Sequence, residues 1–133
     1  MPDTASTASE TGEPDYDGPL RSNLERVFNE RNTSKRAAAI DELFVAEPVM
    51  YEPSNVVSGR AAISEVAGKL LEQFGPTFTF VPEGTAAGHH GFGVLPWHAG
   101  PKDGPVAVTG ADVAEIIEGK IARLWVMLNP PNA

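Results

Sequence analysis

Two acids, Glu52 and Asp112, stand where a carboxyl group could do acid–base work. Asp112 falls in the stretch Val106 to Leu128. Glu118-Gly119-Lys120 interrupts that stretch and predicts a three-residue hairpin loop, with Gly119 left-handed after a type I turn. Side chains alternate along strands. This register therefore puts Asp112, Ala114, Leu124, Val126 and Leu128 on one face, and Val113, Glu115, Arg123, Trp125 and Met127 on the other. The second face carries its own opposite charges, and the first carries only Asp112. Desolvation under apolar cover can raise a carboxyl pKa by ~3 or more in the extreme, and a carboxyl kept neutral can donate a hydrogen bond to a bound oxygen. A structural reading stays open beside this one. Asp112 could bond backbone amides or an Arg, or a two-residue turn could shift the register and bring Arg123 beside it.

Glu52 closes a predicted short strand, Val49 to Glu52, with Met50 on its face and Tyr51 on the other. From the residues alone it is a solvated acid at a strand end. Trp97 shares strand parity with Leu95, while Val94 and His98 share the other face. Trp97 is thus expected in the interior, as a wall for a flat apolar ligand or as core packing. His89 and His90 point apart if they lie in a strand and converge only in a loop, with no third ligand spaced to join them, so no metal site is expected. His98 reads as a surface residue. Gly91-Phe92-Gly93 lacks the rest of a phosphate-binding fingerprint, so it reads as a turn and no cofactor is implied.

Three helices must position these groups. Pro19 can open the first, whose stripe is Leu20, Leu24, Val27 and Phe28, ending near Asn32. Ser34 can cap the second, with Ala37, Ile40, Leu43 and Phe44 on one side and Pro48 as its stop. Ser58 can cap the third, where Ile63, Val66, Ala67, Leu70, Leu71 and Phe74 keep the helical period until Gly75-Pro76. The period then changes to two. Phe78–Phe80, Thr85–His89, Phe92–Trp97, Val106–Ile117 and Ile121–Leu128 read as successive antiparallel strands. Helices gathered before a meandering sheet predict an α+β fold in which the sheet curls around the helices and leaves an apolar cavity.

The order of these signals carries a resemblance over roughly residues 20 to 129. A helix ends in Leu43-Phe44, a short strand ends in Glu52 before Pro53, and Gly59-Arg60 opens a helix. Asp112 then precedes two apolar strands joined at Gly119-Lys120. This resembles the SnoaL-like, ketosteroid isomerase-like branch of the nuclear transport factor 2 superfamily. The resemblance implies a cone-shaped fold of cystatin-like topology, three N-terminal helices on a curved antiparallel sheet. It also implies that Glu52 matches the proton-shuttling base of the isomerases, one methylene longer than their Asp, and that Asp112 matches the acid that helps hold an oxyanion. The isomerases' helix tyrosine maps to Phe28, which can pack but cannot donate. Phe28, Met50, Trp97, Leu124, Val126 and Leu128 are the expected ligand contacts.

The implied activity is proton transfer beside a carbonyl of an apolar, oxygen-bearing ring compound. Epoxide opening or cyclisation, with Asp112 as acid or base, is the second enzymatic reading. A non-catalytic ligand-binding or dimerising module of the same fold is the alternative.

The chain of 133 residues is long enough for one domain and one core. It has no cysteine, which excludes disulfides and thiolate chemistry. The formal charge of −8 repels phosphate backbones, so nucleic acid is not an expected partner. No stretch approaches the ~20 apolar residues of a membrane helix, and a soluble cytoplasmic protein is the default expectation. Residues 1–19, rich in Ser, Thr, acids, Gly and Pro, read as a disordered acidic tail ahead of a domain at 20–133, with Tyr16 the one side chain able to anchor. Trp125 and Met127 are large for an outward face and predict a homodimer through it.

Overall fold

Apolar residues spaced three and four apart build the first element. In the computed structural model, which describes residues 13–130, helix α1 (Asp17–Asn23) runs directly into a π-helical turn (Leu24–Phe28), where the Asn29 amide reaches back to the Leu24 carbonyl at 2.9 Å. Leu20, Leu24, Val27 and Phe28 are all buried, as the stripe requires. The element starts at Asp17 rather than Pro19 and ends at Phe28 rather than Asn32. Asp17–Pro19, assigned above to the tail, form its first turn, and Tyr16 is buried against Gly88 and Gly93. The tail expectation for residues 1–12 lies outside the described residues.

Helix α2 (Thr33–Leu43) is capped by Asn32, whose side chain accepts from the Lys35 amide at 2.9 Å, in place of the Ser34 cap expected. Its buried side is Arg36, Ala39, Ile40 and Leu43, with Ala37 exposed. Phe44 is not its last turn but the start of strand β1 (Phe44–Glu52), so the strand is longer than Val49–Glu52 and Pro48 lies within it instead of ending the helix. Pro48 lacks an N–H to give to a ladder, and it falls where the pairing of β1 loses register between Phe44 and Val49.

Strand β2 (Asn55–Ser58) hairpins back, and helix α3 (Arg60–Phe74) begins after Gly59, which holds φ 99° where Ser58 was the expected cap. Arg60 explains the Gly-Arg pair. Its guanidinium bonds the Phe44 and Val45 carbonyls at 2.8 and 2.9 Å and ties the start of α3 to the start of β1. Arg31 ties the far end, donating to the carbonyls of Leu71, Gly75 and Phe78.

Strands β3 (Phe78–Pro82), β4 (Ala87–His89), β5 (Phe92–Pro101), β6 (Val108–Ile117) and β7 (Lys120–Leu128) follow. The seven strands form one curved sheet in the order β2-β1-β7-β6-β5-β3, with β4 also on β5. Successive strands are not all neighbours, since β3 and β4 share the same edge of β5. Nor is the sheet wholly antiparallel, because β1 returns beside β7 in parallel. Among the described residues the architecture is the expected α+β arrangement of three helices on a curved sheet.

The closing hairpin keeps the expected faces by a different route. Its turn is two residues, Glu118 and Gly119, both at positive φ (52° and 81°), in place of a three-residue loop. That turn alone would have shifted the register. A bulge between Glu115 and Ile116 restores it, so Asp112 pairs with Val126, Ala114 with Leu124 and Gly110 with Leu128. Arg123 pairs with Glu115 on the opposite face, with their side chains 2.7 Å apart, and does not reach Asp112.

Candidate functional site

The cone encloses an apolar cavity of about 290 Å³. Its helical wall is Leu24 and Phe28 from the first element and Leu70 and Phe74 from α3. The sheet contributes Phe78 and Phe80 from β3, Trp97 from β5, Val108 and Asp112 from β6, and Val126 and Leu128 from β7. Glu52, the last residue of β1, and Pro53 after it complete the wall. Phe74 and Leu128 are half-exposed and mark the mouth, whereas Trp97 and Asp112 are buried and form the floor.

Aromatic rings connect the two ends. Phe74 stacks on Phe78 at 4.6 Å, Phe78 meets Phe80 edge-on at 5.5 Å, and Phe80 meets Trp97 edge-on at 5.3 Å. Phe28 adds a second edge contact to Phe80 at 6.0 Å. Edge-to-face pairs of this kind are favoured by the ring quadrupoles.

At the floor the Trp97 indole donates its Nε1–H to Asp112 Oδ1 at 3.0 Å. Gly110, directly across from Trp97, makes this possible, because a Cβ there would lie 2.9 Å from the indole ring and against the Met127 carbonyl. On the other side Asn23 Nδ2 lies 3.5 Å from Asp112 Oδ2. Among the described residues no cation pairs with the carboxyl. Burial pushes the Asp112 pKa up from its ordinary 3.8 to about 7, against the smaller downward pull of the Trp97 and Asn23 hydrogen bonds. A carboxyl on that balance can hold or release a proton near neutrality, which is what a general acid, a general base or an oxyanion donor requires.

Residues 24–124 match the family of the SnoaL-like domain. The chain belongs to the SnoaL-like family. Among solved structures, this SnoaL-like domain superposes on a proposed isomerase of the SnoaL-like family from Agrobacterium tumefaciens. That pair has a TM-score of 0.77 and 23% identity, over 84% of this chain and 95% of that one. It also superposes on a proposed polyketide cyclase from Sinorhizobium meliloti (TM-score 0.64, 14% identity, 82% and 93% of the two chains). A proposed ketosteroid isomerase from Kribbella flavida matches at TM-score 0.62 and 15% identity, over 88% and 82%. At these identities the likeness establishes the fold. No curated protein matches the sequence.

Within the SnoaL-like cavity, the expected contacts Phe28, Trp97, Val126 and Leu128 reach the wall, together with both acids. Met50 and Leu124 do not. They are wholly buried in the core behind the wall. Glu52 is partly exposed at the mouth, and its carboxylate makes no hydrogen bond or ion pair among the described residues. Asn23 and the polar role of Trp97 were not foreseen. A signal for Asn23 was present, since it stands three residues after Leu20 and four before Val27, inside the apolar stripe.

The three histidines lie away from the cavity. His89 ends β4 and His90 takes φ 52° in the turn that follows with Gly91, so the two rings converge with their Nδ1 atoms 2.8 Å apart, rather than pointing apart as two strand residues would. Among the described residues no three His, Cys, Asp or Glu side chains gather to hold a metal ion. His98 pairs with Glu83 at 2.6 Å on the outer face.

Proposed function

We propose that this SnoaL-like domain is a small-molecule enzyme that takes an apolar, oxygen-bearing ring compound and moves a proton beside its carbonyl. The observation that carries the reading is Asp112, a buried carboxyl without a cationic partner among the described residues, at the end of an aromatic-lined cavity. In its neutral form Asp112 is the donor that receives the ligand oxygen. Glu52, at the mouth on the strand face that leads inward, is the base that takes a proton from the adjacent carbon and returns it elsewhere on the ligand. A cavity of about 290 Å³ is at the small end for ligand sites. One- and two-ring enones are therefore better matched than a full steroid.

The test is absorbance-monitored conversion of β,γ-unsaturated ketones to their conjugated isomers at high enzyme concentration, with a β,γ-unsaturated ketosteroid and smaller cyclic β,γ-unsaturated ketones as substrates. Turnover above the uncatalysed rate is expected for at least the smaller rings. No turnover with any of them removes the isomerase reading. Phe28 favours the epoxide or cyclisation chemistry as the second reading, because it supplies no hydroxyl to share an oxyanion with Asp112.

The domain also acts as a homodimer in this proposal. On the outer face Trp125 stacks on Tyr51 at 5.2 Å and tilts against Phe92 at 5.9 Å, with half-exposed Met127 and Val94 on the same side. A face of this kind is typical of association surfaces. Light scattering after size exclusion should give a dimer at micromolar concentration and a monomer for Trp125→Glu. A wild-type monomer would remove the idea.

A further inference from the structure

The first helix carries a polar side chain where its periodicity asks for an apolar one. Asn23 has no exposed surface, and its Nδ2 lies 3.5 Å from Asp112 Oδ2, at the long limit of a hydrogen bond. Its Oδ1 is the one buried side-chain oxygen or nitrogen without a partner among the described residues. Such an orphan is expensive and requires an explanation. Leu at this position would complete the stripe without that cost, so folding alone does not account for Asn23.

Trp97 supplies the second constraint. An indole N–H only donates, and this one is given to Asp112 Oδ1. The proton of a neutral Asp112 is thereby directed to Oδ2, the oxygen that faces Asn23. An ionised Oδ2 needs a donor and a protonated Oδ2 needs an acceptor. The unspent acceptor nearby is the other end of the same carboxamide.

We propose that Asn23 is the positioning residue of the site: its carboxamide donates to Asp112 when the carboxylate is ionised and turns to accept from it when the carboxyl is neutral. In the empty cavity Asp112 thus keeps one orientation in both proton states, and a bound ligand oxygen takes over from Asn23 as the acceptor of the neutral carboxyl's proton. The terminal torsion of Asn is broad and nearly two-fold, so the turn is soft. One end of the amide is left over in either orientation, so turning exchanges one orphan for another rather than adding one. The groups facing Asp112 are Asn23 from the first helix, Leu95 and Trp97 from β5 and Val126 from β7. Glu52 is the other titratable side chain on the cavity wall.

The inference rests on the reading of Asp112 as an acid that changes proton state, and it is tested without turnover. The full chain is followed by infrared spectroscopy from acid to alkaline pH. The carbonyl band of the protonated Asp112 is assigned by its loss in Asp112→Asn. The side-chain amide signals of Asn23 are followed by 15N NMR over the same range. The Asn23 signals are expected to move with the midpoint at which the Asp112 band disappears, and in Asn23→Leu the band should rise in wavenumber because the hydroxyl has lost its acceptor. Asn23 signals that stay fixed while the band titrates, a band unmoved in Asn23→Leu, or no protonated Asp112 band at any pH each overturn the proposal. If Asn23→Leu fails to fold, the wild-type titration alone decides. Absence of isomerase turnover would overturn the proposed reaction while leaving these spectra as they are.

Discussion

Replacing Asp112 with Asn should stabilise the protein at pH 8 by an amount on the order of 4 kcal/mol and leave it nearly unchanged at pH 4. The sign follows from proton binding. The carboxyl titrates near its ordinary 3.8 when unfolded and at about 7 when folded. Between those values the native state holds more protons than the unfolded state, so stability falls as pH rises through the window and stays low above it. The difference between the two pKa values, converted at about 1.36 kcal/mol per pH unit, gives that magnitude as an upper estimate. The carboxamide introduced by Asp112→Asn keeps an acceptor for the Trp97 N–H and gains a donor that can satisfy the orphan Oδ1 of Asn23. The other carboxylates with altered pKa values, Glu13, Asp17 and Glu42, are pulled down by hydrogen bonds from Tyr16, Arg21 and Arg26 respectively, and they act in the opposite direction in both proteins. Urea unfolding of the two proteins from pH 4 to pH 9 isolates the residue. A difference in stability that does not change with pH would show that Asp112 does not titrate in this window.

The faces of the closing hairpin were legible because a two-residue period is strict. Within β6, any placement that buries Ala114 and Ile116 must also bury Asp112, and the alternating burial of that strand obeys it. The means of reaching that register was not legible, because a bulge at Glu115–Ile116 leaves no mark in the residue types. Pro48 misled for a physical reason. Proline ends helices, and the sequence does not say that α2 has already ended at Leu43 through Arg60, a residue 16 positions beyond Phe44 whose guanidinium holds the Phe44 carbonyl. The same distance in sequence hid the floor of the cavity. Asn23 and Asp112 are 89 residues apart, and Trp97 and Asp112 are 15 apart on strands whose pairing had to be known first. The acids themselves were visible as types in a pattern, while their partners were visible only in three dimensions.

The largest kinetic effect is expected at the mouth. Glu52→Gln keeps the size of the side chain and its capacity to accept a hydrogen bond at Oε1, but it cannot accept a proton at neutral pH. If Glu52 is the base, kcat falls by roughly 10²–10⁴-fold with KM little changed, because the lost interaction develops only as the proton moves. Asp112→Asn should behave differently. Its carboxamide still donates a hydrogen bond, so kcat should fall less, and the decline in rate above about pH 7 caused by ionisation of the native acid should disappear. The measurement is the pH profile of kcat and kcat/KM for the wild type and both variants on whichever cyclic β,γ-unsaturated ketone turns over fastest. The reverse pattern, a Glu52→Gln variant with full activity and an inactive Asp112→Asn, would mean that Asp112 itself carries the proton. The site would then belong with the epoxide-opening or cyclising reading, where one buried acid does the work and the carboxylate at the mouth does none.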